Sequence, residues 1–305
     1  MSAIPPLTIG LPVYNGENYL ALALDDLLAQ DYGDFRLVIS DNASEDGTEE
    51  ICRAYASRDP RIDYVRHEAN RGGIWNYNHA FQLNESPYFK WATHDDGHAP
   101  SHLSRCMEAF AEAPKDVVLV YPRVMLVGPS GEALREYDEG LDLREGSAAG
   151  RLAHLVRRIR MVNSLLGVIR ADVLAATRLN QGVTGYDNLL LAELALRGEF
   201  RELPERLFFR RVHPAAASQN RSQASKLAWL SGGRAGKARF PITRRVFAHL
   251  EAIGRAPIGP LEKLEAVCRY LPAHAEARVR HRRHQLTKQL RGRARAAFGA
   301  LRRVA

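Results

Sequence analysis

The chain opens on short apolar runs that alternate with segments of helical period. Runs at 7–13, 35–40, 62–66, 88–92 and 117–121 read as buried strands, while 18–30, 48–56, 74–83 and 101–112 repeat their apolar positions at helical spacing. Such alternation is what parallel strands joined by crossover helices require, so the pattern predicts an α/β fold with a mostly parallel central sheet flanked by helices. Past residue 122 the rhythm changes. A short run at 124–127 meets the turn GPSG at 128–131, followed by a charged segment over 135–145 and a basic helix near 151–160. A strand at 165–169, a helix over 187–197 closed by Gly198 and a final strand at 207–213 complete this more open, mixed half. Gly232, Gly233, Gly236 and Pro241 mark a linker into a helical C-terminal extension.

Length and composition agree with one large α/β domain plus an extension. The net charge of +8 is uneven: residues 271–305 hold ten Arg or Lys against the single acid Glu276, which leaves the remainder close to neutral. The basic balance therefore describes a tail and not the core. Cys52, Cys106 and Cys268 lack metal-ligand spacing and read as small core hydrophobes in a reducing compartment. The start, MSAIPPLTIG, runs into a strand without a signal core, and no apolar stretch is long enough to span a bilayer. The expectation is a cytoplasmic protein, or one peripheral at the inner face of a membrane.

Candidate chemistry gathers where strands end. The stretch YFKWATHDDGH delivers a histidine and the pair Asp95 and Asp96 to the end of the fourth run. In an open α/β sheet ligands bind beyond the carboxyl ends of the strands, and paired carboxylates there suit a divalent cation carrying phosphates. A second pair, Asp25 and Asp26, lies in a helical pattern and reads as a solvated helix face. The first strand ends in Pro12, Val13, Tyr14, Asn15 and Gly16, and the second in Asp41, Asn42, Ala43 and Ser44, so the G-x-G-x-x-G dinucleotide fingerprint is missing. An aspartate at a strand end, such as Asp41, can accept hydrogen bonds from a base or ribose. Ser44, Asp46 and Thr48 have helix capping as their alternative. A third loop, Asn70-Arg71-Gly72-Gly73, lets backbone approach a ligand, and Arg71 can meet an anion.

The ordered set LPVYNGENYL, DFRLVISDNASEDGT, NRGGIWNYN and YFKWATHDD resembles the inverting nucleotide-sugar glycosyltransferases of family 2, which have the GT-A fold. The resemblance covers about the first two thirds of the chain. It implies a glycosyltransferase domain over 1–220, with a nucleotide-binding half at 1–100 and an acceptor half at 101–220, and a basic helical extension over 221–305. It implies that Pro12, Tyr14 and Asp41 line the base pocket, with Asn15, Asn42 and Arg71 among the donor-binding residues. The family's acidic pair falls on Asp95 and Asp96, with Asp96 as ligand to Mg²⁺ or Mn²⁺ and Asp95 nearer ribose or donor sugar. His98 reads either as a further metal ligand or as an exposed loop histidine. The segment GYDNLLLAELALRG resembles the helix that carries the general base, which falls on Asp187, although Tyr186 stands where many members have Glu. A carboxylate that merely favours a helix N-terminus is the alternative. After the final strand His213 reads as a metal or diphosphate contact or as structural, and Arg211 and its neighbour Arg210 suit the leaving diphosphate.

The resemblance thus implies a metal-dependent inverting transfer of a single sugar from a nucleoside-diphosphate sugar to an acceptor hydroxyl on a cell-surface glycan or glycolipid. No Q-x-x-R-W occurs, which disfavours processive synthesis. Two rivals remain: a sugar-nucleotide nucleotidyltransferase, which would want a glycine-rich loop after the first strand, and a basic nucleic-acid binder, which would want stacking aromatics in the tail. Nucleic acid is therefore not an expected partner. The tail's alternatives are contact with an anionic membrane surface, through Val279, Leu286, Leu290, Phe298 and Leu301, or a solvated basic segment.

Overall fold

The computed structural model describes residues 6–181, 185–214, 216 and 242–301. Among these residues nine strands form one sheet: β1 (Leu7–Val13), β2 (Phe35–Asp41), β3 (Ile62–Arg66), β4 (Tyr88–Trp91), β5 (Gly97–His98), β6 (Val117–Val127), β7 (Ala133–Tyr137), β8 (Val168–Arg170) and β9 (Glu199–Arg211). Their order is β3-β2-β1-β4-β8-β6-β9-β5, with β7 paired to β6. The pairings make β1, β2, β3, β4, β6 and β9 run one way and oppose β5, β7 and β8. Hence the carboxyl ends of β1, β2, β4 and β9 meet along one edge. The order reverses at β1, between β2 and β4, which is where an open α/β sheet forms its binding crevice.

The helices follow the sequence pattern: α1 (Leu20–Leu28), α2 (Thr48–Ala56), α3 (Gly73–Gln82), α4 (His102–Glu112), α5 (Ala148–Arg158), α6 (Ala171–Ala175), α7 (Tyr186–Ala195), α8 (Ile242–Arg255) and α9 (Pro260–Leu301). One core, built on Leu24, Leu27, Cys52, Leu103 and Phe110, joins α1, α2 and α4 to the sheet. A second, built on Trp91, Leu152, Leu190, Ile253 and Tyr270, joins α5, α7, α8 and α9. A central strand covered on both faces has no polar side to alternate with, which is why β1 is buried along its whole length.

Four expectations need correction. The runs at 117–121 and 124–127 are one strand, because β9 bulges past Pro122 and keeps the pairing. The segment expected as a strand at 165–169 is a 3₁₀ turn (Asn163–Leu166) followed by β8. Gly167 separates them, and an added Cβ there would lie 2.4 Å from the Val120 carbonyl. The last strand begins at Glu199 rather than 207, its first half hidden by the polar sequence EFRELPER. Cys268 is exposed, whereas Cys52 and Cys106 are buried free thiols that desolvation pushes up to about 12. The linker glycines, Pro241 and the boundary at 220 lie outside the described residues.

The extension begins as part of the fold. Ala266, Tyr270 and Ala273 of α9 are buried in the second core, and Tyr270 stacks on His249 with ring centroids 5.1 Å apart. Tyr270→Ala is expected to cost about 3–5 kcal/mol, read as a lower urea midpoint in a single transition. No helix among the described residues is long and apolar enough to cross a membrane.

Candidate active site

Three loops at the carboxyl edge are stitched into one wall. The loop after β1 is held to the loop after β2 by backbone donors onto short side chains. The Asn15 N–H donates to Ser44 Oγ (2.9 Å), Gly16 N–H to Thr48 Oγ1 (2.8 Å) and Glu17 N–H to Asp46 Oδ2 (3.1 Å). In return the Glu45 N–H donates to Asn15 Oδ1 and the Gly47 N–H to Glu17 Oε2. Asn15 takes a left-handed φ of 52° to make both contacts. Ser44, Asp46 and Thr48 therefore act as stitches between loops, and Asp46 also accepts the Thr48 N–H (3.1 Å) at the start of α2, where the N-cap Gly47 has no side chain to offer.

Asp41 ends β2 fully buried. One carboxylate oxygen accepts from the Ser44 N–H and hydroxyl (2.9 and 2.6 Å), the other from the Tyr64 hydroxyl (2.7 Å). Asn42 is buried too, and its carboxamide clamps the third loop: it accepts from the Arg71 N–H (3.0 Å) and donates to Asn70 Oδ1 (2.9 Å). Asn76 of α3 reaches the Val13 and Ser40 carbonyls and draws that loop onto β1 and β2. Gly72, at φ 93°, supplies the turn into α3 that a side chain would resist. Arg71 itself is exposed and lies over the Trp75 ring at 4.7 Å.

The second wall comes from the segment after β4 and from the end of β9. Asp96 is buried, accepting from the Thr93 hydroxyl (2.5 Å) and from the Arg211 N–H (2.8 Å). Burial, and then the charge of Asp95, raise its carboxyl to about 6, while Arg210 acts in the opposite direction. His213 Nε2 lies 3.0 Å from Asp95 Oδ2, and Tyr19 of the first loop packs on His213 at 4.7 Å. Asp95 and His213 are thus in contact although 118 positions separate them, and Asp96 is tied to the end of β9 beside them.

Two expected contacts are corrected here. His98 does not join the group as a metal ligand. Strand β5 pairs it with Phe208 and turns its buried ring toward His102 (5.1 Å) and Phe208 (5.5 Å), where burial and Lys90 keep it neutral. The cause lies in the other acidic pair. Asp26, read as a solvated face, accepts the His98 N–H at 3.0 Å and anchors β5. Arg211 does not stand open for a diphosphate: its guanidinium donates to the carbonyls of Asp95 (2.9 Å) and Pro129 (3.1 Å) and packs on Tyr19. Its neighbour Arg210 is the arginine that acts electrostatically on Asp96.

Asp187 lies in the first turn of α7, after Gly185 at φ 80°, and its carboxylate accepts the Asn188 N–H at 2.9 Å. Burial first, and then the charges of Asp95 and Asp96, raise the Tyr77 hydroxyl, and Tyr186 is raised by burial and then by Asp187 and Tyr77. Sequence reading missed Glu139, buried in the charged segment, which accepts the Asn163 and Ser164 N–H groups (3.0 and 2.6 Å) and is pushed up to about 7 by burial. Asn163 in turn accepts from Arg210. No spacing signals this cluster, because its members come from three separate segments.

Among the described residues no three His, Cys, Asp or Glu side chains form a ready-made cage for a metal ion. The donor set of Asp95, Asp96 and His213 nevertheless suits Mg²⁺ or Mn²⁺, since such ions use one or two carboxylates and fill the remaining positions with water and substrate phosphate.

Residues 8–134 match the family model Glycosyl transferase family 2. An uncharacterized glycosyltransferase of Rickettsia typhi is 30% identical over 130 residues, 43% of this chain and 40% of the relative. Glycosyltransferase GlyA of Streptococcus pneumoniae is 28% identical over 113 residues, 37% of this chain and 16% of that protein. The chain thus spans well under half the length of these curated relatives. Among solved structures it is similar to S. aureus TarS in complex with UDP-GlcNAc, with a TM-score of 0.61 at 17% identity, covering 88% of this chain and 72% of that one. It is also similar to the mannosyltransferase PcManGT from Pyrobaculum calidifontis in complex with GDP-Man and Mn²⁺, with a TM-score of 0.55 at 17% identity, covering 91% and 74%. The fold is therefore of the GT-A type, and its first half carries the family 2 match.

Proposed function

We propose that the protein is an inverting glycosyltransferase that moves a single sugar from a nucleoside-diphosphate sugar to an acceptor hydroxyl on a glycan or glycolipid of the cell surface. The observation that carries this reading is the convergence of Asp95, Asp96 and His213 at the carboxyl edge of a sheet whose first half matches family 2. The solved neighbours hold UDP-GlcNAc and GDP-Man, which supports a sugar nucleotide as donor.

In this reading the wall formed by Pro12, Tyr14, Asn15, Asp41, Asn42 and Arg71 receives the nucleoside. Asp41 and Asn42 act first by fixing the loops, since their polar atoms already have partners. Asp96, with Asp95 and His213, would hold Mg²⁺ or Mn²⁺. When bound, the cation supplies neutralisation of the charge that collects on the departing diphosphate. Arg210 adds positive charge on the same side. Asp187 receives the proton of the attacking acceptor hydroxyl from the opposite side of the donor sugar, and attack from there inverts the anomeric centre. Asp95 orients His213 and faces the ribose or donor sugar.

A panel of UDP-, GDP- and dTDP-sugars with and without Mn²⁺ tests this by thermal shift. One base is expected to raise the melting temperature selectively, and more strongly with Mn²⁺, because a ligand that binds only the native state stabilises it. A flat response to every donor would reject the reading.

A further inference from the structure

Helix α9 has two apolar faces, and only one is covered. Ala266, Tyr270 and Ala273 are buried in the core, while the Glu276 carboxylate pairs with Arg157 of α5 at 2.8 Å. On the reverse, Leu261, Leu264, Cys268, Leu271, Val279 and Leu286 are exposed, the five aliphatic ones by 47% to 85%. Their spacings of three, four, three, eight and seven residues keep them on one side of a 3.6-residue helix. Such a stripe, several turns long and open to water, marks a surface that another body covers.

The charge around the stripe identifies that body. Helix α9 contains ten Lys or Arg and three Glu, and its second half is the most basic part of the chain. All three carboxylates are already engaged: Glu262 accepts the Ala148 N–H (3.3 Å), Glu265 pairs with Arg269 (2.8 Å) and Glu276 with Arg157. A second copy of the helix would therefore bring arginines against arginines. It would also bury Arg282, which falls within the angular span of the stripe, where an unpaired charge is costly. At a lipid interface the same arginine extends its stem along the apolar face and its head into the phosphates. We infer that α9 is a membrane-docking helix that lies in the plane of an anionic bilayer, with Leu264, Leu271, Val279 and Leu286 in the acyl boundary and Arg278, Arg282 and Arg283 among the headgroups. The inference stands independently of the active site, although α9 packs on α5, which packs on the helix whose first turn carries Asp187.

Flotation of the full chain with vesicles tests it. Vesicles of phosphatidylcholine with phosphatidylglycerol should carry the protein up the gradient, pure phosphatidylcholine should not, and added salt should weaken recovery. The triple variant Arg278→Gln, Arg282→Gln, Arg283→Gln is expected to lower the partition coefficient by about a hundredfold. Leu264→Ser, Leu271→Ser, Val279→Ser should also lose binding while keeping the parent's melting temperature, since these positions are exposed. Absence of flotation on the anionic vesicles, or equal flotation of parent and variants, overturns the inference. So does a dimer in light scattering that the serine variant abolishes, which would assign the stripe to a second copy.

Discussion

Asp187→Asn is expected to lower the transfer rate by about 10²–10⁴-fold while leaving donor affinity unchanged. The substitution is nearly isosteric and keeps an oxygen for the Asn188 N–H, so the first turn of α7 retains its hydrogen bond. What it removes is a basic site that can take the acceptor's proton. A carboxylate in a first helical turn is also favoured electrostatically at about 0.3–1 kcal/mol, and that role predicts a different outcome: a slightly less stable and fully active enzyme. Steady-state rates at saturating donor, set beside the melting temperature, separate the two.

Asp96→Asn is expected to abolish metal-dependent donor binding and at the same time to stabilise the metal-free protein at alkaline pH. Burial raises the Asp96 carboxyl to about 6, above its value of about 3.9 in an unfolded chain. Between those values the native state holds more protons than the unfolded state. This group's contribution therefore makes stability fall as pH rises from about 4 to about 6, and the loss is complete above that range. Asparagine carries no charge to desolvate. Its oxygen can accept the Arg211 N–H, and its amide can donate to Thr93. A gain of about 1–3 kcal/mol at pH 8, vanishing below about pH 4, is the expected result in urea unfolding. Glu139, raised to about 7, acts in the same direction and should leave a residual pH dependence in the variant. A variant less stable than its parent at pH 8 would show that the two hydrogen bonds to Asp96 outweigh the cost of its burial. The site would then hold its charge at low cost, contrary to this account.

Much of this was legible in the chain because the first half obeys local rules. Strands covered on both faces leave unbroken apolar runs, and β1 and β3 appear at the bounds their runs predict. Polar residues that interrupt such runs fall at the carboxyl edge, which is how Asp41, Asp95 and Asp96 declare themselves. Pairing across the sheet was not legible. The inward turn of His98 depends on strand β9 more than a hundred residues later, and on Asp26 behind it. Likewise the choice between Arg210 and Arg211 is made by alternation along β9, which sends neighbouring side chains to opposite faces. Glu139 carries no motif, and its partners are backbone N–H groups of a 3₁₀ turn whose last two residues alone the sequence reads as strand.

The central claim is a division of labour, with Asp96 holding the donor through its diphosphate and Asp187 activating the acceptor. Calorimetric titration of the preferred sugar nucleotide in the presence of Mn²⁺ into the parent, Asp96→Asn and Asp187→Asn proteins tests it most directly. The account predicts parental affinity for Asp187→Asn and no measurable metal-dependent binding for Asp96→Asn. Equal affinity in all three proteins, or loss in the Asp187 variant with retention in the Asp96 variant, would contradict it.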